Sequence, residues 1–329
     1  MKATTIINVT ALVLGAALLA WTLSDIGPEV WLTVREVGTW FAVVAAIDLA
    51  SVCCDAFAIH GFLRPHVEVP YPRVFAAEFS GLAINRVSPM NSLGEPIKMT
   101  MLARDVPGEH AVSAIVMFNL TTTYVALVTI AIGVPISFAL LDLPSRIAGA
   151  VWVGLGVLLL GAVALALLVR TGPLTALIDA GAALHLVGAD RATRWRAKVA
   201  GIDERLRMLG RLRAPGMARG VAGVIGSRAL NSVGTVAVLY AAHIPLTPPL
   251  VVASLSIGIL ITWISNIVPL GVGLYQGGNY ILFALLGVRA AGGLVFAVVN
   301  QLRTILLAAM GLVVMMIANL FHRRYHRPS

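Results

Sequence analysis

Charged residues and cysteines are both scarce in this chain. Only 12% of its 329 residues are charged, whereas a typical soluble domain carries about 25%. The two cysteines, Cys53 and Cys54, are adjacent within an apolar run, so neither a disulfide framework nor a cysteine metal site is expected. The sequence predicts no metal site and no cofactor.

Apolar residues take the place of the missing charges. The chain is 59% hydrophobic with a mean hydropathy of +0.91, and its apolar runs are continuous rather than alternating, which favours membrane helices over a β-barrel. The 24 basic residues exceed the 15 acidic ones, for a net charge of +9. Because the basic residues flank apolar runs, this excess indicates contact with a membrane surface rather than with nucleic acid.

Apolar runs of about 20 residues predict membrane-spanning helices. They lie at 5–23, 40–63, 111–140, 147–169, 218–242 and 292–321. The first of these is long for a signal peptide and is expected to be retained. The sequence therefore predicts an all-α polytopic membrane protein with about six full transmembrane helices.

Two further apolar regions are interrupted by proline, glycine and polar residues. These are the first broken region, 74–103, and the second broken region, 250–288. The residues expected to shape the breaks are Pro89, Gly94, Pro96, Pro269, Gly271 and Gly273. Irregular backbone at membrane depth must be buried in protein or line a cavity, and paired breaks are the best sequence indication of a transporter site. Each region is predicted to be a re-entrant hairpin or, alternatively, a pair of short spans.

The distribution of Lys and Arg orients the chain. Connections at 64–73 and 170–216, like the C-terminal tail, are basic and predicted to be cytoplasmic, whereas those at 24–39, 141–146 and 243–249 are predicted to be external. Both termini are then cytoplasmic, and the broken regions enter from opposite faces. This predicts an inverted repeat of residues 1–140 and 141–329, with the first hairpin facing the cytoplasm and the second facing outwards.

A basic amphipathic helix is predicted at 191–213, within the long cytoplasmic connection. Its apolar positions recur at spacings of three and four residues, and its flanks are basic. Such a helix suits an anionic lipid surface, although basic cytoplasmic connections also serve simply as topology anchors. The residues assigned to this surface are Arg191, Arg194, Trp195, Arg196 and Lys198.

Ionisable residues inside the apolar regions are the candidate binding residues, because charges at membrane depth usually face a protein interior or cavity. The candidates are Arg86, Glu95, Lys98, Asn119, Arg228, Gln276 and Arg303. Converging arginines would hold a phosphate, and Glu95 beside such a site would gate it or carry a proton. The structural alternative is that Asp48 or Asp55 pairs with Arg228, while Arg86 or Lys98 extends to the cytoplasmic surface.

The two broken regions resemble the signatures of a known family. The order Asn85-Arg86-x-x-Pro89, followed by Gly94-Glu95-Pro96-x-Lys98, resembles the first signature of the lysylphosphatidylglycerol synthase transmembrane-region family, also called flippase-like membrane proteins. The family's second signature is similar to the run from Pro269 to Val288, which reads Pro-x-Gly-x-Gly-x-x-Gln-Gly and later Leu-Leu-Gly-Val. As in that family, a last span containing an arginine, Arg303, follows. The chain departs from the family pattern at Asn119 and Gln276, where acidic or charged residues are common.

The resemblance implies a stand-alone member in a bacterial or archaeal cytoplasmic membrane. It further implies partners among membrane lipids, including anionic, aminoacylated, isoprenoid or hopanoid lipids, and no soluble aminoacyl-transferase domain is expected. The leading hypothesis is a lipid translocase, and a homo-oligomer is compatible with it. The alternatives are a secondary transporter of a small soluble solute, an accessory subunit, or an intramembrane lipid-modifying enzyme. An enzyme is not expected, because no His-Glu-x-x-His or nucleophile-elbow motif occurs.

Overall fold

The computed structural model describes residues 37–38, 40–64, 67–88, 93–140, 216–266 and 273–325, with isolated residues between 156 and 204. Throughout this part of the chain the regular structure is α-helical. The predicted spans at 5–23 and 147–169 and the predicted basic helix at 191–213 lie outside the described residues, apart from isolated positions.

Eight helices are described, and we number them in chain order. They are α1 (Trp40–Leu63), α2 (Tyr71–Val87), α3 (Gly94–Leu102), α4 (Gly108–Ala139), α5 (Met217–Ala241), α6 (Pro248–Ser265), α7 (Leu274–Leu285) and α8 (Ala290–Tyr325).

Five of these helices are long and apolar enough to cross a membrane: α1, α4, α5, α6 and α8. Four of them coincide with predicted spans to within a few residues, because continuous apolar runs define spanning helices. The fifth, α6, has 18 residues and belongs to the second broken region. That region therefore contains a helix of membrane-spanning length, which the sequence analysis did not assign as a separate span.

Each broken region forms two helices separated by a short connection. The first contains α2 and α3, and the second contains α6 and α7. Prolines lie in the first turns of α2 and α6, where a missing N–H costs no helical hydrogen bond. Gly273 precedes α7 with φ +82°, a backbone conformation that favours glycine.

Among the described helices, α1 and α5 share the most extensive contact, and they run antiparallel to each other. Small residues let the two backbones approach, and a Cβ added at Gly223 would lie only 2.8 Å from the Ala58 Cβ. Next to this contact, the Ser51 and Ser227 hydroxyls lie 3.0 Å apart, and Asn231 donates to the Ser51 Oγ at 2.7 Å. Small and hydroxyl residues are typical of helix contacts inside membranes.

The broken regions connect the two halves of the chain. The first helix of each packs against the last described helix of the other half, since α2 contacts α8 and α6 contacts α4. The second helix of each packs against the last helix of its own half, α3 on α4 and α7 on α8. The hydrophobic core follows the same contacts, with Ile84, Ile97 and Ile115 in one cluster and Phe283 with Phe296 in another.

Candidate functional site

A cavity of about 580 Å³ lies between the described helices. Side chains from α1, α2, α4, α5, α6, α7 and α8 line it, so both halves of the chain contribute. We call it the arginine cavity, because Arg86, Arg228 and Arg303 all face it together with Asp48. Its volume is in the range of small-molecule sites, about 300–1,000 Å³.

Arg303 and Asp48 are paired with each other. The Arg303 Nε donates to the Asp48 Oδ2 at 2.7 Å, and the Arg303 Nη2 donates to the Asp48 Oδ1. The Arg303 Nη1 also donates to the Asn300 Oδ1 at 2.8 Å. Gly234 makes room for this arrangement, because a Cβ there would lie 3.0 Å from the Arg303 Nη2. The bidentate geometry neutralises Arg303 and fixes its orientation.

Arg86 and Arg228 have no such partner. Neither forms a hydrogen bond or an ion pair with any side chain in the described part of the chain, and the Arg228 Nε is buried without an acceptor. Asp55 lies near Arg228 and is electrostatically influenced by it, but it does not line the cavity. With three guanidiniums and one carboxylate in its lining, the described wall of the cavity is cationic.

The rest of the cavity wall is rich in hydroxyl and amide groups. Most of the hydroxyls belong to α4, α5 and α6. They include Thr122, Thr129, Ser232, Thr235, Ser254 and Thr262. The Ser254 Oγ and the Thr122 Oγ1 are buried, and neither has a hydrogen-bond partner among the residues that the structure describes. Buried polar groups normally have hydrogen-bond partners, so these two can bind water or the polar part of a ligand.

Glu95, Lys98 and Asn119 lie together in a second cluster, outside the lining of the arginine cavity. The Lys98 Nζ lies 3.1 Å from the Glu95 Oε1 and 2.9 Å from the Glu78 Oε2. The Asn85 Nδ2 donates to the Glu95 Oε1 at 3.0 Å, and the Asn119 Nδ2 donates to the Glu95 Oε2 at 2.9 Å. This charge cluster fixes α3 against α2 and α4.

Two features of the charge cluster differ from the sequence analysis. Lys98 does not extend to the membrane surface but is buried beside Glu78, and its Nζ lies 5.4 Å from the centroid of the Phe118 ring. Glu78 was not identified from the sequence, although its position as an acidic residue within an apolar region could have indicated it.

A pairing in the arginine cavity also differs from the structural alternative, since Asp48 pairs with Arg303 rather than with Arg228.

Gln276 lies in the first turn of α7, the second helix of its broken region, as Glu95 lies in the first turn of α3. Its Oε1 accepts the Gly273 N–H at 2.7 Å, and its Nε2 donates to the Gln301 Oε1 on α8. Gln276 therefore joins the first turn of α7 to the last helix, while Gln301 itself lines the arginine cavity. Gly94 and Pro96 lie in the first turn of α3. Pro89, Pro269 and Gly271 lie outside the described residues.

The residues assigned to an anionic-lipid surface are described only in part. Trp195 is exposed, and the Arg196 Nε lies 2.6 Å from the Asp179 Oδ1 in an exposed pair. Arg191, Arg194 and Lys198 lie outside the described residues. Within the segments that the structure describes, no three His, Cys, Asp or Glu side chains come together as a metal site requires.

Several membrane-length helices around a polar, arginine-lined cavity define an all-α polytopic membrane protein. The family model described as "Lysylphosphatidylglycerol synthase TM region" matches residues 8–311. The chain belongs to this family, as its two signatures predicted. Neither a curated protein nor a solved structure matched the chain.

Proposed function

We propose that this protein is a lipid translocase that moves a phosphate-bearing headgroup through the arginine cavity. The observation that carries this proposal is that Arg86 and Arg228 face the cavity without an ion pair from any described residue. Because charges inside a membrane are costly, we expect an anionic ligand to compensate these two guanidiniums. Membership of a family named for the membrane region of a lipid synthase supports a lipid as that ligand.

A phosphate group fits the chemistry of the cavity. Guanidinium groups bind phosphate oxygens through paired, charge-assisted hydrogen bonds, and the unpartnered Ser254 and Thr122 hydroxyls provide further donors. In this mechanism Arg86 and Arg228 bind the phosphate, while Arg303 shapes the wall because Asp48 already holds it. The headgroup would thus exchange its water shell for protein donors.

The helix contacts support an inverted repeat as the framework for this movement. The pairs α2–α8 and α6–α4 have matching places in the two halves, as do α3–α4 and α7–α8. Glu95 bonds to Asn119 on α4, and Gln276 bonds to Gln301 on α8. In such repeats, one half rocks against the other around a central site and exposes it to each side in turn.

We place this repeat in a bacterial or archaeal cytoplasmic membrane with both termini in the cytoplasm. The first broken region then enters from the cytoplasm and the second from outside, as re-entrant hairpins. The antiparallel contact of α1 with α5 supports this orientation, because the Lys and Arg distribution assigns opposite directions to these two helices.

The charge cluster would stabilise the first broken region and control its movement. The Lys98 Nζ and two amide groups all donate to Glu95 or lie within ion-pair distance of it. A movement of α3 away from α2 and α4 would have to separate these contacts, so we assign Glu95 a gating role. Leaflet exchange with and without a pH gradient tests whether the movement is coupled to protons.

Leaflet exchange in vesicles that contain the purified full chain tests the proposal. The labelled lipids are phosphatidylglycerol, its lysyl ester and a prenyl phosphate, each with and without a pH gradient. We expect Arg228→Gln to slow exchange of the preferred lipid about 10-fold to 100-fold, since charge-assisted bonds contribute about 1.5–3 kcal/mol. The control is Arg219→Gln, which removes an exposed arginine from the same helix outside the cavity.

Equal exchange by the Arg228→Gln variant and the Arg219→Gln control would refute the role of the arginine cavity. Uptake of a soluble organic phosphate without exchange of any lipid would instead identify a soluble-solute transporter. Chemical conversion of a lipid by the purified protein would identify an enzyme.

A further inference from the structure

An apolar groove lies beside the arginine cavity. It has a volume of about 460 Å³ and is lined mainly by α5, with Leu255 of α6 and the aromatic rings of Trp40 and Tyr240. Its lining includes Val233 and Val236, and none of the described residues that line it is charged. Val233 and Tyr240 are more than half exposed, so the described part of the chain leaves this groove open laterally.

The groove and the cavity are neighbours that share part of their lining. Ser232 of α5 and Leu255 of α6 line both of them. These two helices make little contact, in contrast to α1 and α2, which hold the corresponding places in the first half. A polar site for an anion and an apolar channel therefore meet at the gap between α5 and α6.

The aromatic pair locates one end of the groove. Trp40 begins α1 and Tyr240 lies near the end of α5, and their ring centroids are 5.0 Å apart in an edge-on contact. Trp and Tyr concentrate where the headgroup layer meets the hydrocarbon. The groove thus extends from the predicted external interface towards Ser232, beside the cavity.

We infer that this groove holds one hydrocarbon chain of the lipid whose phosphate lies in the arginine cavity. The inference rests on the proposed function and adds that the substrate is amphiphilic, with a long chain joined close to its phosphate. The polar headgroup binds Arg86 and Arg228, and the chain leaves between α5 and α6 past Val233 and Val236. The groove is too apolar to favour a water-soluble organic anion.

A photoreactive lipid tests where the chain lies. The probe is phosphatidylglycerol with a diazirine in mid-chain, incorporated into vesicles that contain the full protein. We expect cross-links at Val233, Val236, Ala237 or Leu255, above the level at Ile225. Ile225 lies on the same helix outside the groove and is more than half exposed in the described part of the chain, so equal labelling there would overturn the inference.

Filling the groove provides a second test. We expect Val236→Trp to lower leaflet exchange about tenfold relative to Ile225→Trp. The indole would displace part of the hydrocarbon chain, and a lipid that buries about two fewer methylene groups binds about tenfold more weakly. Binding of glycerol 3-phosphate, which has no chain, should be unchanged in Val236→Trp. Equal exchange by the two tryptophan variants would overturn the inference.

A third measurement addresses other occupants of the groove. A photoreactive amino acid at position 236 should cross-link to lipid; capture of another segment of this chain, or of a second copy, would overturn the inference. Failure of the proposed function looks different, because the unmodified protein would then neither bind glycerol 3-phosphate nor exchange any lipid.

Discussion

Arg303 donates two hydrogen bonds to the carboxylate of Asp48, from a position 255 residues further along the chain. Both side chains are largely buried, at 9% and 3% exposure. The pair joins α8 to α1 and crosses the wall of the arginine cavity. Because Arg303 is satisfied in this way, Arg86 and Arg228 provide the positive charge that remains for a ligand.

Breaking this pair should destabilise the fold. Asp48→Asn leaves Arg303 buried without a counter-charge, and removing one partner of a buried pair costs about 3–5 kcal/mol. The measurement is the free energy of unfolding in mixed detergent micelles. The double variant Asp48→Leu/Arg303→Met should recover most of the loss, because it removes both charges; a stable Asp48→Asn single variant would contradict this view of the pair.

Arg86 should matter for transport more than for stability. Arg86→Gln removes no hydrogen bond or ion pair to a described residue, so we expect the free energy of unfolding to change by less than about 1 kcal/mol. Leaflet exchange should nevertheless fall about 10-fold to 100-fold through loss of a charge-assisted bond. The exchange rate of Arg86→Lys should lie between those of the unmodified protein and Arg86→Gln, because lysine keeps the charge but cannot form the paired hydrogen bonds of a guanidinium. Undiminished exchange in Arg86→Gln would exclude its role.

Lys98 should be essential for the stability of the first broken region. Lys98→Met leaves the Glu78 and Glu95 carboxylates close together in a buried cluster with no cation between them, and the expected cost is about 3–5 kcal/mol. The change should appear as faster proteolysis near α3 and as a lower free energy of unfolding. Adding Glu78→Leu to Lys98→Met should restore part of the lost free energy of unfolding. A Lys98→Met variant as stable as the unmodified protein would contradict the structural role of the cluster.

The contact between α1 and α5 should tolerate no added bulk at Gly223. A Cβ there would lie 2.8 Å from the backbone nitrogen and the Cβ of Ala58, so Gly223→Val should force the two helices apart and cost about 1–3 kcal/mol. Gly226→Ala is the matched control on the same helix, because its Cβ would meet the Cys54 Sγ at an ordinary 3.6 Å. Similar unfolding free energies for the two variants would show that close packing at Gly223 is unimportant.

The spanning helices were predictable because each is coded by a continuous apolar run. The expected boundaries of α1, α4, α5 and α8 agree with the structure to within a few residues. Proline and glycine in the two broken regions likewise predicted that each would divide into two helices. The length of α6 was missed because its whole region was treated as interrupted, although the residues from 250 to 265 are mostly apolar and include no charged residue.

The candidate site was predictable in its residue types but not in its grouping. Arg86, Arg228 and Arg303 stood out because arginine inside a membrane helix is costly, and all three line the cavity. Which carboxylate would pair with which cation depends on helix rotation and register, and one sequence does not determine these. For this reason the sequence left either Asp48 or Asp55 as the partner of Arg228, whereas the structure pairs Asp48 with Arg303. Likewise, nothing in the sequence indicated that Glu95 would lie in a cluster with Lys98 and Glu78.

Different kinds of hydrogen bond join the two broken regions to their neighbouring helices: a bond between neutral amides in the second, and a bond to a charged carboxylate in the first. Separating Gln276 from Gln301 uncovers two neutral amides, which water or other side chains can satisfy at modest cost. Separating Glu95 from Asn119 disturbs a carboxylate that is also held by Lys98. Among the described contacts, the link between α7 and α8 is therefore the weaker of the two, and we expect the second broken region to separate from its neighbouring helix at lower cost than the first.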